Sequence, residues 1–399
     1  MNSFDVWRGQ VPAWQCDADG RWNLRFLAGP FEEARRLIAT SGSGAATPLD
    51  LQLDSAARPR AGTLVAIRAE FDGDRVRLRM NDTFTGHDLK VATAEWSADL
   101  GADAAFSAPT ISGAVPGPLG MVNAWDCDVM HHMNVQFYAG RATEAEAALG
   151  AHLGVDPTSS EGPFLRPVEH RFRFSGEMSA GDAIAGEVFS GEPSPGRIQA
   201  RIELRNPVSG KAAASIESDL EWVGLLDPAS AEDARRRFEA LLRSDGKPAW
   251  TGGDWSPDAA TLERMIPLGR QEVLPWEVDH SGVIPPRFLF GRTGSSVPYL
   301  LDQMGLTRPY MLAHGLGRVA VGYRLRYLRW PKSGDCLELR SGVSEVGEKT
   351  WRFRHGFVDI SDGALVCSVD AVILLFSMAE RRSVPLPPDI RARAERMSI

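Results

Sequence analysis

Cysteine is scarce in this chain, with four residues among 399. No CxxC pair occurs among Cys16, Cys127, Cys336 and Cys367, so we expect neither a disulfide framework nor a cysteine-based metal site. Long hydrophobic runs are also missing, since none approaches the roughly 20 apolar residues that cross a bilayer. The first residues lack the basic-then-apolar pattern of a secretory leader. Together these absences predict a cytoplasmic protein that holds no metal or cofactor.

An excess of positive charge is missing as well. The chain has 44 Lys and Arg residues against 52 Asp and Glu residues, which gives a net charge of −8. This balance argues against a general nucleic-acid binder. The remaining composition, with 43% hydrophobic and 24% charged residues, is that of an ordinary globular protein. Its length is sufficient for two or three domains.

A short pattern occurs three times in the sequence. In each copy an Asp follows a Trp by three positions, and a Phe follows that Asp by nine. The three copies are Trp14, Asp17 and Phe26; Trp125, Asp128 and Phe137; and Trp276, Asp279 and Phe288. Three copies with the same internal spacing predict three structural repeats, each of about 130 residues, which is a usual domain size.

A helical pattern and then strand patterns follow each copy. The Ala-rich segment from Val135 to about Leu153 has a helical period, as does Phe31 to Ala39. The third helical pattern contains Pro298, which predicts that this helix starts late or kinks. Period-two alternation predicts the strands, most clearly from Arg197 to Arg205. A helix followed by several antiparallel strands predicts an α+β fold in which the sheet wraps the helix.

The repeats predict three domains. The expected bounds are 1–115 for repeat one, 116–245 for repeat two with a C-terminal helix, and 246–399 for repeat three with the linker before it. A stretch rich in Ala, Gly, Ser and Pro at 101–118 predicts the first linker, and a stretch with Gly, Pro and two Trp residues at 245–258 predicts the second.

The second copy holds a cluster of polar residues directly before its helix. Asp128, His132 and Asn134 lie there, at spacings of four and two. The first turn of a helix has unpaired N–H groups and positive potential, which polarise a carbonyl group placed beside them. A carboxylate at that point can attack the carbonyl carbon or activate water. The adjacent pair His131 and His132 does not suggest a metal site, because neighbouring residues cannot share one helix face.

The stretch Trp-Asp-Cys-Asp-Val-Met-His-His-Met-Asn, followed by Phe137 and Tyr138, resembles the loop of hotdog-fold acyl-CoA thioesterases. It is most similar to the branch that includes 4-hydroxybenzoyl-CoA thioesterase, whose loop is roughly Asp-x-x-Gly-His-x-Asn. The resemblance implies three tandem hotdog domains, each an antiparallel sheet wrapped around a central helix. It also implies that Asp128 is the catalytic acid, that His132 and Asn134 position it or a water, and that Phe137 and Tyr138 contact the substrate.

The chain departs from the family loop at several positions. His131 stands where the family has Gly, which predicts a changed loop backbone. Repeat one has Arg21 at the position of the family His, although Asn23 is kept. Repeat three has Val283 and Pro285 at the two polar positions. We therefore expect a complete site only in repeat two.

The implied reaction is hydrolysis of an acyl thioester to a free acid and coenzyme A. Asp128 would act on water as a general base or attack the carbonyl itself, and the sequence leaves both roles open. A non-catalytic binder or scaffold is the alternative, since two of the three loops are degraded. An enoyl-CoA hydratase ranks lower, because the helix has no histidine before His152.

Each of these residues can also have a purely structural role. Asp17, Asp128 and Asp279 can cap a helix or pin a turn, and His132 can orient the loop without touching substrate. The three repeated Trp residues are expected in the core. In the alternating strand, Arg171 and Arg173 either lie on a solvated sheet face or hold the phosphates of coenzyme A.

In the resembled family, hotdog domains pair side by side. If they do so here, a chain with three domains leaves one domain without a partner. Pairing covers sheet edges that are otherwise exposed, and a two-fold axis is the commonest oligomer symmetry. We therefore predict a homodimer of six domains. Repeats one and two are expected to pair within the chain, with repeat one walling the pocket of Asp128 and repeat three meeting its symmetry mate.

Overall fold

The computed structural model describes residues 3–40, 50–54, 57–72, 75–97, 111–191, 197–244, 246–253 and 255–399. No helix within these ranges is long and apolar enough to cross a membrane. The helices within them are α1 (Leu24–Thr40), α2 (Val135–His152), α3 (Pro228–Glu239), α4 (Ala259–Arg264), α5 (Pro286–Met304), α6 (Arg308–Ala313) and α7 (Pro388–Arg396).

The strands pair into one long antiparallel sheet. They are β1 (Ser3–Gln10), β2 (Asp50–Leu53), β3 (Leu64–Asp72), β4 (Arg75–Asp82), β5 (Asp88–Ser97), β6 (Val115–Met121), β7 (Phe164–Phe174), β8 (Ala183–Ser190), β9 (Ile198–Arg205), β10 (Ala212–Val223), β11 (Ile266–Glu272), β12 (Leu316–Tyr327), β13 (Cys336–Val346), β14 (Thr350–Asp359), β15 (Leu365–Ser377) and β16 (Arg382–Ser383).

Most of these elements fall into three units. Unit one contains β1 to β5 with α1, unit two β6 to β10 with α2, and unit three β11 to β15 with α5. In each unit the strands lie in the same order across the sheet: second, fifth, fourth, third and first. Because the long helices pack against this antiparallel sheet, the expected α+β class is confirmed.

Units two and three are joined at their sheet edges. Strand β7 pairs with β12, with Phe172 opposite Tyr323. Helix α2 packs against α5, and the buried apolar residues of both units form one core. Unit one has a core of its own, and β1 meets β6 at a single register pair, Arg8 opposite Leu119.

The expected pairing of repeats is therefore wrong. Unit two pairs with unit three inside the chain, and the edge strand β12 is not free to meet a symmetry mate. The physical reason is that β7 and β12 pair at five register positions and so satisfy more edge backbone groups than the single position at which β6 meets β1.

Two of the expected helices begin earlier than predicted. Helix α1 starts at Leu24 rather than Phe31, because Leu27 and Pro30 already belong to its buried face. Helix α5 starts directly at Pro286 and continues through Pro298, so the expected late start is wrong. A proline in the first turn needs no N–H donor, which makes Pro286 a favourable first residue.

The two predicted linkers agree with the structure to different extents. Residues 101–110 lie outside the described residues, and Val115 already begins β6, so the first predicted linker extends too far. The described residues of 246–258 contain no strand or helix, in agreement with the second.

The shared core predicts different outcomes for two truncations. A fragment of residues 1–260 loses unit three, which exposes the β7 edge and the apolar face of α2, and we expect it to be insoluble or unstable. A fragment of residues 112–399 loses unit one but keeps the core of units two and three, and we expect it to be soluble. Expression followed by gel filtration and circular dichroism measures both outcomes. A soluble 1–260 fragment with full activity would contradict the shared core.

Candidate functional site between units two and three

The three repeated Asp residues begin the same backbone turn. In unit two the Asp128 N–H donates to the His132 carbonyl oxygen, and the His131 N–H donates to the Asp128 carbonyl oxygen, both at 2.9 Å. His131 has a φ of +63°, close to the +74° of Gly20 and the +83° of Gly282 in the other loops. A non-glycine residue adopts this conformation at a cost of about 1–2 kcal/mol. The expectation that His131 changes the loop backbone is therefore wrong.

Asn134 sets the start of α2. It is the N-cap residue, and its side-chain oxygen accepts a hydrogen bond from the Gln136 N–H at 3.1 Å. Val135 follows as the first helical residue, and the N–H of that position has no acceptor inside the helix. Asn134 thus fixes where the unpaired donors of α2 are directed.

The Asp128 carboxylate has one engaged oxygen. Its Oδ1 accepts a hydrogen bond from the Met130 N–H at 2.8 Å, so the turn-pinning interpretation holds for this atom. The Oδ2 accepts no hydrogen bond from any described residue, and the side chain is exposed at the loop surface. Asp128 therefore both pins its turn and presents a free oxygen.

His132 is directed toward a different carboxylate. Its Nε2 lies 3.5 Å from Glu177, and Arg381 donates to the same carboxylate at 2.5 Å. Within the described part of the chain, neither His132 nor Asn134 makes a side-chain hydrogen bond to Asp128. The three residues nevertheless border one cavity.

That cavity has a volume of about 300 Å³ and lies between units two and three. Unit two contributes the polar loop residues and the first turns of α2. Unit three contributes the opposite wall, from α5, β12 and β15. The lining includes Asp128, His132, Asn134, Val135, Tyr138, Val297, Arg318, Val319, Tyr323, Ile373 and Phe376. The expectation that repeat one walls this pocket is wrong, because unit three does so.

Of the two aromatic residues predicted to contact substrate, only one reaches the cavity. Tyr138 lines it and packs edge-on against Phe174, with ring centroids 5.2 Å apart. Phe137 instead faces the Arg287 guanidinium, which lies 5.7 Å from its ring centroid. Burial raises the pKa of the Tyr138 hydroxyl, so this group stays protonated at neutral pH.

Arg171 and Arg173 do not line the cavity. The Arg171 guanidinium donates to Glu169, Glu217 and Asp219 at 2.8, 3.0 and 2.9 Å, so each of its three nitrogens already has a carboxylate partner. Arg173 borders a separate groove beside Trp250. Side chains alternate between the two faces of a strand, and the buried His170 and Phe172 take the helix-facing side of β7.

The other two loop carboxylates are occupied by partners. Arg58 donates to Asp17 and lowers the pKa of that carboxyl, as does the Asn23 amide. Asp279 accepts the Ser281 N–H at 2.8 Å and lies 3.8 Å from Arg166. Asp279 borders a second, smaller cavity of about 120 Å³.

Residues 273–394 match the family model described as the thioesterase-like superfamily. This segment therefore resembles that superfamily. The match falls on unit three, whose loop lacks the His and Asn of unit two, so the likeness rests on more than those polar positions. None of the curated proteins matches the chain.

Solved structures resemble this chain at low sequence identity. A Lactobacillus plantarum protein assigned as an oleoyl thioesterase has a TM-score of 0.50 and 12% identity, and the likeness covers 69% of this chain and 99% of that one. The 12:0-ACP thioesterase of Umbellularia californica has a TM-score of 0.48 and 11% identity, covering 64% and 92%. The first likeness shows a shared hotdog-like fold over more than one unit of this chain, whereas the family model matches unit three alone.

The repeated Trp residues of the three loops are not in the core, which corrects the expectation. Trp14, Trp125 and Trp276 are 37%, 75% and 53% exposed. Trp14 packs edge-on against Phe26, and Trp276 packs the same way against Phe288. In units one and three the repeated Trp and Phe spacing thus serves a surface contact between the loop and its helix.

Arg318 and Tyr323 of unit three line the same cavity as Asp128 and were not predicted from the sequence. No motif marks them, because they lie in an ordinary alternating strand. Only the pairing of β7 with β12 brings that strand to the loop of unit two.

The cap at Asn134 predicts a stability effect. Asn134→Ala removes the side-chain acceptor for the Gln136 N–H, and we expect the free energy of unfolding to fall by about 1 kcal/mol. Asn134→Asp keeps an acceptor and serves as the matched control, with a much smaller loss expected. Urea denaturation followed by circular dichroism measures the difference. Equal losses in both variants would mean that the cap does not stabilise α2.

Proposed function

We propose that the chain hydrolyses an acyl thioester of coenzyme A to a free acid and the thiol, in the cavity between units two and three. One observation carries the proposal: the free oxygen of Asp128 and the N-terminus of α2 border a single, largely apolar cavity. An apolar pocket with a few polar groups is the usual form of a small-molecule site.

We also propose that the three units are hotdog domains, with bounds at 1–115, 116–245 and 246–399. Their identical element order and strand order support this division. Only the second domain keeps the polar loop, so we assign the catalytic carboxylate to that domain alone. The paired domains two and three together build the reaction site.

The carbonyl group of the thioester binds at the start of α2 in this proposal. The Val135 N–H, which has no acceptor within the helix, donates to the carbonyl oxygen as negative charge develops there. The positive end of the helix dipole adds to this stabilisation. Asn134 holds the donor in place by capping the same turn.

Asp128 then acts as the general base. Its Oδ2 takes a proton from a water molecule, whose oxygen attacks the carbonyl carbon. The tetrahedral intermediate collapses by breaking the carbon–sulfur bond, and the proton returns to the thiolate. Direct attack by Asp128, with a mixed anhydride formed and then hydrolysed, is the alternative, and incorporation of solvent ¹⁸O into Asp128 during turnover separates the two.

His132 affects this chemistry through the loop. Its ring lies beside Glu177 rather than Asp128, while its carbonyl oxygen accepts the Asp128 N–H at 2.9 Å. We therefore assign it the positioning of the loop that carries Asp128.

Replacing Asp128 tests the proposed function. Asp128→Asn keeps the shape and removes the base, and we expect turnover of acyl-CoA thioesters to fall on the order of 10²-fold or more. Asp17→Asn and Asp279→Asn are matched controls with far smaller expected effects. Thiol release from an acyl-CoA panel measures the rates. If either control abolishes activity while Asp128→Asn does not, the site lies in another unit, and no hydrolysis by the wild type would favour a binding protein.

Unit one lacks a paired unit, which supports the proposal of a homodimer. Its strand β2 is an edge of the sheet in the described residues, and an exposed edge is a ready site for pairing. We expect two chains to meet through unit one and to form an assembly of six domains. Light scattering at micromolar concentration measures the mass, and a monomer would contradict the proposal. The fragment 112–399, which lacks unit one, should be monomeric.

A further inference from the structure

The wall of the cavity opposite Asp128 carries two polar groups without partners. Arg318 makes no hydrogen bond or ion pair with any described residue, although its side chain is half-buried in the cavity wall. Tyr323 is 5% exposed, and its hydroxyl also has no hydrogen-bond partner among the described residues. Both belong to β12 of unit three and both line the cavity.

The surroundings make these groups unusual. Many side chains of the same cavity wall are apolar, and include Val319, Ala320, Val321, Ile373, Phe376 and Met378. A charged or polar group in such a place costs free energy unless a partner satisfies it. Burial lowers the pKa of Arg318, while the charge of Asp128 opposes that change.

Neighbouring carboxylates do not satisfy Arg318. Glu177, at the cavity wall, is already bound by Arg381 and faces His132. The Asp128 carboxylate acts on Arg318 through space but makes no ion pair with it. Arg318 is therefore the unpaired cation of the described cavity lining.

Strand β7 provides a comparison. Arg166 lies near the start of β7, as Arg318 lies near the start of β12. Arg166 has partners, since it lies 3.8 Å from Asp279 and donates to the Ser281 hydroxyl. At the smaller cavity the chain itself provides the anionic partner of Arg166. At the larger cavity no described residue takes that role for Arg318.

Tyr323 is a buried part of the cavity lining. Its ring packs against Phe290 and Phe174, with centroids 5.1 and 6.2 Å apart. Burial raises the pKa of Tyr323 to about 12, so the hydroxyl remains a donor at neutral pH. An anionic group held by both donors therefore lies inside the cavity, whereas the bulky, hydrated phosphates of coenzyme A suit its mouth.

We infer that the cavity selects thioesters whose acyl group carries a carboxylate, which Arg318 binds while Tyr323 donates a second hydrogen bond. The inference rests on the proposed thioester hydrolysis and names its substrate class. The planar guanidinium matches a carboxylate with two parallel hydrogen bonds. Such bonds to a charged group, made in a partly buried site, correspond to about a 10- to 100-fold preference.

Two thioesters of equal chain length test the selection. Adipoyl-CoA and hexanoyl-CoA each have six acyl carbons and differ by the terminal carboxylate. We expect kcat/KM of the wild type to favour adipoyl-CoA by about 10- to 100-fold. Arg318→Gln should remove this preference by lowering the adipoyl rate alone, and Arg318→Lys should retain part of it. Arg326→Gln is the matched control on the same strand, because Arg326 lies 3.5 Å from Glu169 outside the cavity, and it should keep the preference.

Other outcomes overturn the inference. An equal loss with both thioesters in Arg318→Gln would assign Arg318 to the phosphates of coenzyme A or to Asp128 itself. A wild-type preference for hexanoyl-CoA would also reject the carboxylate. If neither thioester is cleaved, the proposed hydrolysis fails, and calorimetric titration with free adipate decides the anion site separately. Adipate binding that Arg318→Gln and Tyr323→Phe both weaken supports the site, and no binding to the wild type rejects it.

Discussion

The pairing of β7 with β12 is the constraint on which the rest of this structure depends. An edge strand leaves N–H and C=O groups without partners, and these two strands satisfy each other across the junction of units two and three. The pairing also brings α2 against α5 and merges the buried residues into one core. Arg324 reinforces it by donating twice to the buried Glu169, at 2.9 Å each.

At this junction each of the two units contributes a wall to the cavity beside the other unit's loop. The loop of Asp128 faces β12, and the loop of Asp279 faces β7. The two cavities then differ in their side chains. Asp279 lies 3.8 Å from Arg166, whereas Asp128 has no such cation within ion-pair distance among the described residues and keeps a free oxygen beside the start of α2. One architecture thus yields a candidate reaction site and a smaller cavity whose loop carboxylate has a cationic neighbour.

Unit one has the same loop backbone as unit two but not its free carboxylate oxygen. Gly20 keeps the left-handed turn that His131 adopts in unit two. The carboxylate of Asp17, however, is bound by Arg58 and Asn23. A loop carboxylate that is tied to its own unit stabilises the turn and leaves no oxygen for a substrate.

The sequence by itself determined the local features of this protein. Helical and alternating patterns predicted α2 and strands such as β9, because they reflect which face of one element is buried. The repeated spacing located the three loops and placed Asp128 before a helix. Tertiary structure alone decided which units pair, and therefore that Arg318 and Tyr323 rather than unit one face Asp128. Edge pairing and cavity walls depend on segments far apart in the chain, and the exposed Trp125 shows that local hydrophobicity does not fix burial.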